Sequence, residues 1–302
     1  MKQGAIKIYL TILVILVAGA LIAVIIDRSK ISQVEVVLGK SSENSEVIEL
    51  TEMFFNDELF GNAILSQENT KGVGNIKAIV VPHHLVAADS IAKIIKMSSG
   101  RPIDQIIIIG PNHENAGVCA VNTVSAEWAT PFGNVSTDDE LVSDLAASTA
   151  CQDGIEVFNH EHSVGAIMPF IKYYLPDASV VPVSLSSYTD MEKIEGLVDW
   201  IKINQSENSL IIVSVDFSHY LDINEADAND EITKDLINDK DLDRILLLNN
   251  DYVDSPASLV SVLLYAKDRI LKIEFIDHTN SFDFAIEKPS ETTSHFTIAF
   301  TE

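Results

Sequence analysis

The sequence predicts an α/β fold: a central mixed, mostly parallel sheet flanked by helices, preceded by one N-terminal transmembrane helix. Three observations predict it. From about residue 73 onward, β-branched runs alternate with segments of helical apolar spacing. Two of those runs, 105–109 and 209–215, are apolar enough to be buried strands. Residues 8–26 carry no charge and are almost entirely apolar, which at ~1.5 Å per residue is roughly enough helix to cross a bilayer core.

In chain order, Lys2 and Lys7 form a short positive leader to the apolar run. A cleaved signal peptide is the alternative, with Ala18-Gly19-Ala20 as its small-residue site, but the run continues through Leu21, Ile22 and Val24 to Ile26. Residues 1–27 are therefore read as a signal anchor, with the large domain outside the cytoplasm. Residues 28–72 follow as a polar stalk and an aromatic segment that leads into the domain, and 73–302 as the α/β domain. Ile76-Lys77-Ala78-Ile79-Val80-Val81 is a strand, 86–98 a helix stopped at Gly100, and 105–109 a second strand ending at Gly110-Pro111. Residues 118–137 read as β structure around a Pro131-Phe132-Gly133 turn, and Thr137 or Asp138 caps a helix to about Ser148. Next come a helix over 163–174 stopped by Pro176, a strand at 180–185, a helix at 190–204, and a strand at 209–215. A charged helical stretch over 224–249, a helix opened by Ser255-Pro256, and terminal β segments at 270–277 and 295–301 complete the chain.

Composition narrows the function. The chain has 302 residues, 47% hydrophobic, which suffices for a sizeable core. Its 45 acidic against 20 basic residues give a net charge of -25, which repels nucleic acid phosphates. Cys119 and Cys151 form no CxxC pair, so a thiolate zinc site is not expected; they pair with each other or stay as buried thiols.

Six of the eight histidines fall in four short segments, each at a strand end or a helix mouth. These are Pro82-His83-His84, Gly110-Pro111-Asn112-His113, Asn159-His160-Glu161-His162 and Asp216-Phe217-Ser218-His219. Strand ends are where α/β folds build their sites. His83 and His113 can meet on one metal ion, with a third ligand from Glu161, His162, Ser218 or His219. Two histidines and a carboxylate would make the facial triad of a non-haem iron site. Asp216 can orient a histidine from behind. His162 can exchange protons, since imidazole titrates near neutrality. His84 and His160 read as neighbours only, and His278 and His295 as structural. No glycine spacing of a phosphate loop surrounds Gly110, and no GxSxG surrounds Ser218.

The ordered set Pro82-His83, Gly110-Pro111-Asn112-His113, Thr130-Pro131-Phe132-Gly133, Glu161-His162-Ser163 with Pro169-Phe170, and Asp216-Phe217-Ser218-His219-Tyr220 resembles the Memo family. Its prokaryotic members are called AmmeMemoRadiSam system protein B. The resemblance implies an α/β fold like that of LigB-type class III extradiol dioxygenases. It implies His83 and His113 as pocket-lining metal ligands for Fe(II) or Cu, joined by the position of Ser218, where animal members read cysteine. His162, Glu161, His219 and Asp216 are then the expected catalytic groups. It also implies AMMECR1-like or radical SAM proteins as partners, beside a small-molecule or peptide ligand. The chain departs from the pattern at His84, Leu85 and Val86, where the family reads Ala-Gly-Tyr, and at Gly165 and Ile167, where it reads Glu and Gln. Two functions compete on this reading. One is a metal-dependent redox enzyme; the other is a binding module holding a peptide or small ligand without turnover. A zinc-hydrolase role has no familiar ligand spacing to support it.

Overall fold

In the computed structural model, residues 48–51, 55–148, 151 and 154–302 are described. Among the described residues, ten strands form two sheets. The larger joins β4 (Val121–Thr123), β7 (Ser179–Ser186), β3 (Gln105–Asn112), β8 (Ser209–Ser214), β2 (Ile76–Val81), β10 (Ser294–Thr301) and β9 (Lys272–Asn280) in that spatial order. The smaller joins β1 (Glu49–Thr51), β5 (Glu127–Ala129) and β6 (Val135–Ser136). The four central strands β7, β3, β8 and β2 are parallel, and β4, β10 and β9 add antiparallel pairings at both flanks. The sheet is mixed, as the strand–helix alternation predicts. The alternation did not show how far the antiparallel flanks would extend, because antiparallel strands need no crossover helix to announce them.

The pleat explains the core. Successive side chains of a strand point to opposite faces. Ile107, Ile109, Ala78 and Val80 therefore pack on one side, with the helices Met191–Asn204 and Pro256–Asp268. Ile106, Ile108, Ile79 and Val81 pack on the other, with the helices Ala88–Ser98 and Met168–Tyr174. Both faces are dry, which is why these strands read as continuous apolar runs. The segment leading into the domain adds Leu50, Phe60 and Ala63 to the second face. Phe132 of the Pro131-Phe132-Gly133 turn stacks on Phe60 at 4.9 Å.

Two long helices of the sequence reading are each divided. The stretch 224–249 becomes Ile223–Asp239 and Leu242–Leu246. Lys240 takes a left-handed conformation (φ 52°) that ends the first, and Asp241 caps the second through the Arg244 N–H at 3.3 Å. The stretch 163–174 becomes His162–Gly165 and Met168–Tyr174, with Pro169 in the first turn of the second helix. Cys119 and Cys151 are disulfide-bonded, with Cα atoms 6.1 Å apart. Cys151 also exchanges backbone hydrogen bonds with Val121 and Thr123, so the bridge ties a loop to the edge strand β4.

The membrane anchor is corrected. The apolar run 8–26 lies outside the described residues, and no helix among the described residues is long and apolar enough to cross a membrane. The longest of them, Ile223–Asp239, has 17 residues and is crowded with Asp and Glu, against the roughly 20 apolar residues that a span requires. The described residues therefore form a mixed α/β fold in which no helix can span a membrane, and the extracytoplasmic placement built on the anchor is set aside.

Candidate metal centre

Three neighbouring parallel strands end at the same edge, in the order β3, β8, β2. His113 directly follows β3, Asp216 follows β8 by two residues, and His83 follows β2 by two residues. Residues far apart in sequence thus meet at the carboxyl end of the sheet, the usual place for sites in α/β folds. They border a cleft of about 530 Å³ that is also lined by His84, His162, His219 and Asp254.

His113 is fixed locally. Asn112 closes the turn behind it, accepting from the Ala116 N–H at 2.9 Å and donating to the Ala116 carbonyl at 2.8 Å. Glu161 then grips it from the next segment. One carboxylate oxygen accepts from the His113 N–H at 2.8 Å, and the other lies 2.9 Å from Nδ1. The same carboxylate caps the helix His162–Gly165 through the Ser163 N–H at 2.8 Å. That helix approaches β3 so closely that a Cβ on Gly110 would lie 2.5 Å from Ser163 Oγ, so glycine is needed there.

His83 is fixed by a different device. Ser214 Oγ donates to the Ser163 carbonyl at 2.6 Å, so its lone pairs face His83 Nδ1 at 3.2 Å. The Nδ1–H must then be the donor, and the neutral ring presents a bare Nε2. Glu161 sets the same tautomer in His113. Both rings thus turn Nε2 inward, toward one carboxylate oxygen. Asp254 Oδ2 lies 3.2 Å from His83 Nε2 and 3.6 Å from His113 Nε2. Asp216 holds this group together: its Oδ1 accepts from the His83 N–H at 3.1 Å, and its own N–H donates to Asp254 Oδ2 at 3.2 Å.

The electrostatics follow from burial. Among the described residues, the ion-pair partners of the buried Asp216 and Asp254 side chains are histidines. Burial alone would raise both carboxyl pKa values. The bonds from His113 and His83 outweigh it for Asp254, and the positive charge of His83 and His295 outweighs it for Asp216, so both stay low. Burial would lower His113, yet its bonds to Asp254 and Glu161 carry it to about 10. His83 also stays raised against its burial by Asp216 and Asp254. Glu161 is pulled to about 2, because His113 and two backbone N–H groups overcome its desolvation. Burial and the neighbouring imidazoles push His162 down to about 4, so it is neutral at pH 7.

These residues fit a cation. Nitrogens of His83, His113 and His162 lie within 4.8 Å of one another, as do donor atoms of His83, Asp216 and Asp254. Asp254 Oδ1 is buried without a hydrogen-bond partner among the described residues. A pair of buried carboxylates beside inward-facing Nε2 atoms calls for positive charge, which a metal ion or the protons on the histidines supply.

The sequence-predicted residues divide accordingly. His83, His113, Glu161, His162, Asp216 and His219 come together around the cleft. Glu161 lies behind His113, on its Nδ1 side. Ser218 is not brought to the cluster: it is fully buried, and its hydroxyl donates to Asp230 Oδ1 at 2.7 Å on the helix Ile223–Asp239. Asp230 also accepts from Ser294 and from His278, each at 2.7 Å, so this network is structural. His160 is exposed. Asp254 was missed; its one local signal is a carboxylate placed immediately before the Ser255-Pro256 helix start.

Comparison with known proteins places the chain in a family. Residues 54–294 match the family described as Memo-like protein. A MEMO1 family protein of Metallosphaera sedula is 27% identical over 198 residues, 63% of this chain and 70% of its own length. One from Nitrosopumilus maritimus is 26% identical over 233 residues, 74% of this chain and 82% of its own length. One from Pyrobaculum aerophilum is 33% identical over 125 residues, covering 40% of this chain and 44% of its own length. Among solved structures, an uncharacterized protein from Escherichia coli K12 aligns with a TM-score of 0.48 at 14% identity, over 74% of this chain and 99% of that one. With four-fifths of its length matched to one family, the chain belongs to the Memo-like proteins.

Proposed function

We propose that this protein binds a redox-active transition metal, Fe(II) or Cu, on His83, His113 and Asp254, and carries out a redox reaction on a small substrate in the adjoining cleft. The observation that carries the reading is the convergence of two Nε2 atoms on Asp254 Oδ2, at 3.2 and 3.6 Å. Two imidazoles and one carboxylate are a donor set that suits non-haem iron and leaves positions open. The metal would supply Lewis acidity and electron transfer when bound.

The chain's own groups do the rest. Glu161 and Ser214 hold the two rings in the tautomer that presents Nε2. Asp216 anchors the His83 backbone and the Asp254 carboxylate. His162 stacks on His113 with ring centres 4.6 Å apart and borders the cleft. Neutral at pH 7, it can accept a proton from a substrate hydroxyl and return it later. Leu85 and Val86 give the cleft an apolar wall that limits water.

The test is turnover of oxidisable small molecules by the metal-loaded protein, with His162→Ala beside it. Oxygen consumption that disappears on chelation and falls about 10²–10⁴-fold in His162→Ala supports the reading. Ligand binding that persists after chelation, with no turnover under any loading, would instead establish a non-catalytic binding module.

A further inference from the structure

The cleft holds a second set of donors that the single-metal reading leaves unused. His84 lies beside His83 on the turn after β2. His295 lies on β10, the antiparallel neighbour of β2, and is fully buried. His84 Nδ1 and His295 Nε2 are 3.2 Å apart. Two nitrogens bound at about 2.1 Å to one ion, at tetrahedral or octahedral angles, lie about 3.0–3.4 Å from each other. The observed separation therefore equals that of two ligands in one coordination shell. A plain imidazole–imidazole hydrogen bond has the same length but needs no carboxylate. Here an Asp216 carboxylate oxygen and one ring nitrogen each of His84 and His295 lie within 4.8 Å of one another.

Two further features distinguish a site from a chance pair. His295 Nδ1 lies 3.4 Å from Thr279 Oγ1, so the ring is held from behind and turns Nε2 toward His84. His219 lines the same cleft, and its buried Nδ1 has no hydrogen-bond partner among the described residues.

We propose that His84, His295 and Asp216 form a second site for a divalent transition cation, and that Asp216 is shared between it and the His83–Asp254 group. The protein would then carry two neighbouring cations, with Asp216 a ligand of one and the anchor of His83 and Asp254 at the other. The proposal rests on the single-metal reading only for this sharing; His84 and His295 belong to the second site alone. A cation pair favours substrates with two anionic oxygens over those with one.

The experiment counts ions. The full chain is stripped with chelator, dialysed against Co(II) and then separately against Zn(II), and metal per chain is measured by mass spectrometry. The Co(II) absorption bands are recorded alongside. Two ions per chain are expected for the parent, and one each for His84→Ala, His295→Gln and His113→Ala. The lost absorption should differ between His84→Ala and His113→Ala. His84 sits on a half-exposed turn, so if His295→Gln fails to fold, His84→Ala decides alone. One ion in the parent, removed by His113→Ala and kept by His84→Ala, overturns the second site and leaves the first. One ion removed by His84→Ala and kept by His113→Ala supports the second site and overturns the first. Two ions retained in His84→Ala overturn the proposal.

Discussion

Glu161 makes the residue scale concrete, because one side chain performs three tasks. It caps a helix, pins a backbone N–H and fixes the tautomer of His113. Glu161→Gln keeps the shape and loses the charge, so metal affinity should fall about 10–100-fold in a chelator competition assay, with the fold intact. Protons tell the same story with the metal removed. The folded-state pKa of His113, about 10, lies above its unfolded value of 6.5. Its contribution to stability is therefore complete below pH 6.5 and is lost as pH rises through 10. His162 and His295 are depressed to about 4, the latter chiefly by burial, so their contribution is present above pH 6.5 and lost as pH falls through 4. Thermal melting of metal-free protein should peak near neutrality, and His113→Gln should flatten the alkaline side. The histidines at strand ends were legible in the sequence because strand signals preceded them. Asp254 was not: it is one of 45 acidic residues, and only the fold brings it to His83 and His113.

Elements decide how well those residues are held. The helix His162–Gly165 rests on β3 at Gly110, where any side chain would strike Ser163. Gly110→Ala should cost about 1–3 kcal/mol in denaturant unfolding and weaken metal binding as well, since Glu161 moves with its helix. The disulfide acts on the edge strand instead. Cys119 and Cys151 are 32 residues apart in sequence, so on the chain-entropy account their bond contributes about 3–4 kcal/mol. Replacing both with alanine should lower stability by that order and leave metal affinity unchanged, because β4 lies at the sheet edge, with β7 between it and β3. Element types were legible wherever apolar periodicity was strong, as in 76–81 and 209–215. Helix ends at Lys240 and Gly165 were not, because a left-handed lysine and a turn before Pro169 leave little trace in apolar spacing.

Over the whole molecule, the net charge of -25 opposes compaction through self-repulsion. Screening relieves this, so the melting temperature should rise between about 10 mM and 500 mM NaCl, where the Debye length shrinks from roughly 30 Å to a few Å. Site affinity should change less over the same range, since the carboxylates involved are buried. The mixed α/β class, though not the membrane helix expected ahead of it, and the family motifs could be read from the sequence, because both depend on local runs in order. The order β3, β8, β2 at the shared edge could not, because strand order reflects packing over the whole chain.

The most direct test measures the affinity of the stripped full chain for Fe(II), under anaerobic conditions, and for Cu. The parent is compared with His83→Ala, His113→Ala, Asp254→Asn and Ser218→Ala. Loss of one tightly bound ion per chain in each of the first three, with the full complement kept in Ser218→Ala, is the expected result. The same number of ions bound in the parent and in all three of those variants, or an ion lost only in Ser218→Ala, would contradict a centre built on His83, His113 and Asp254.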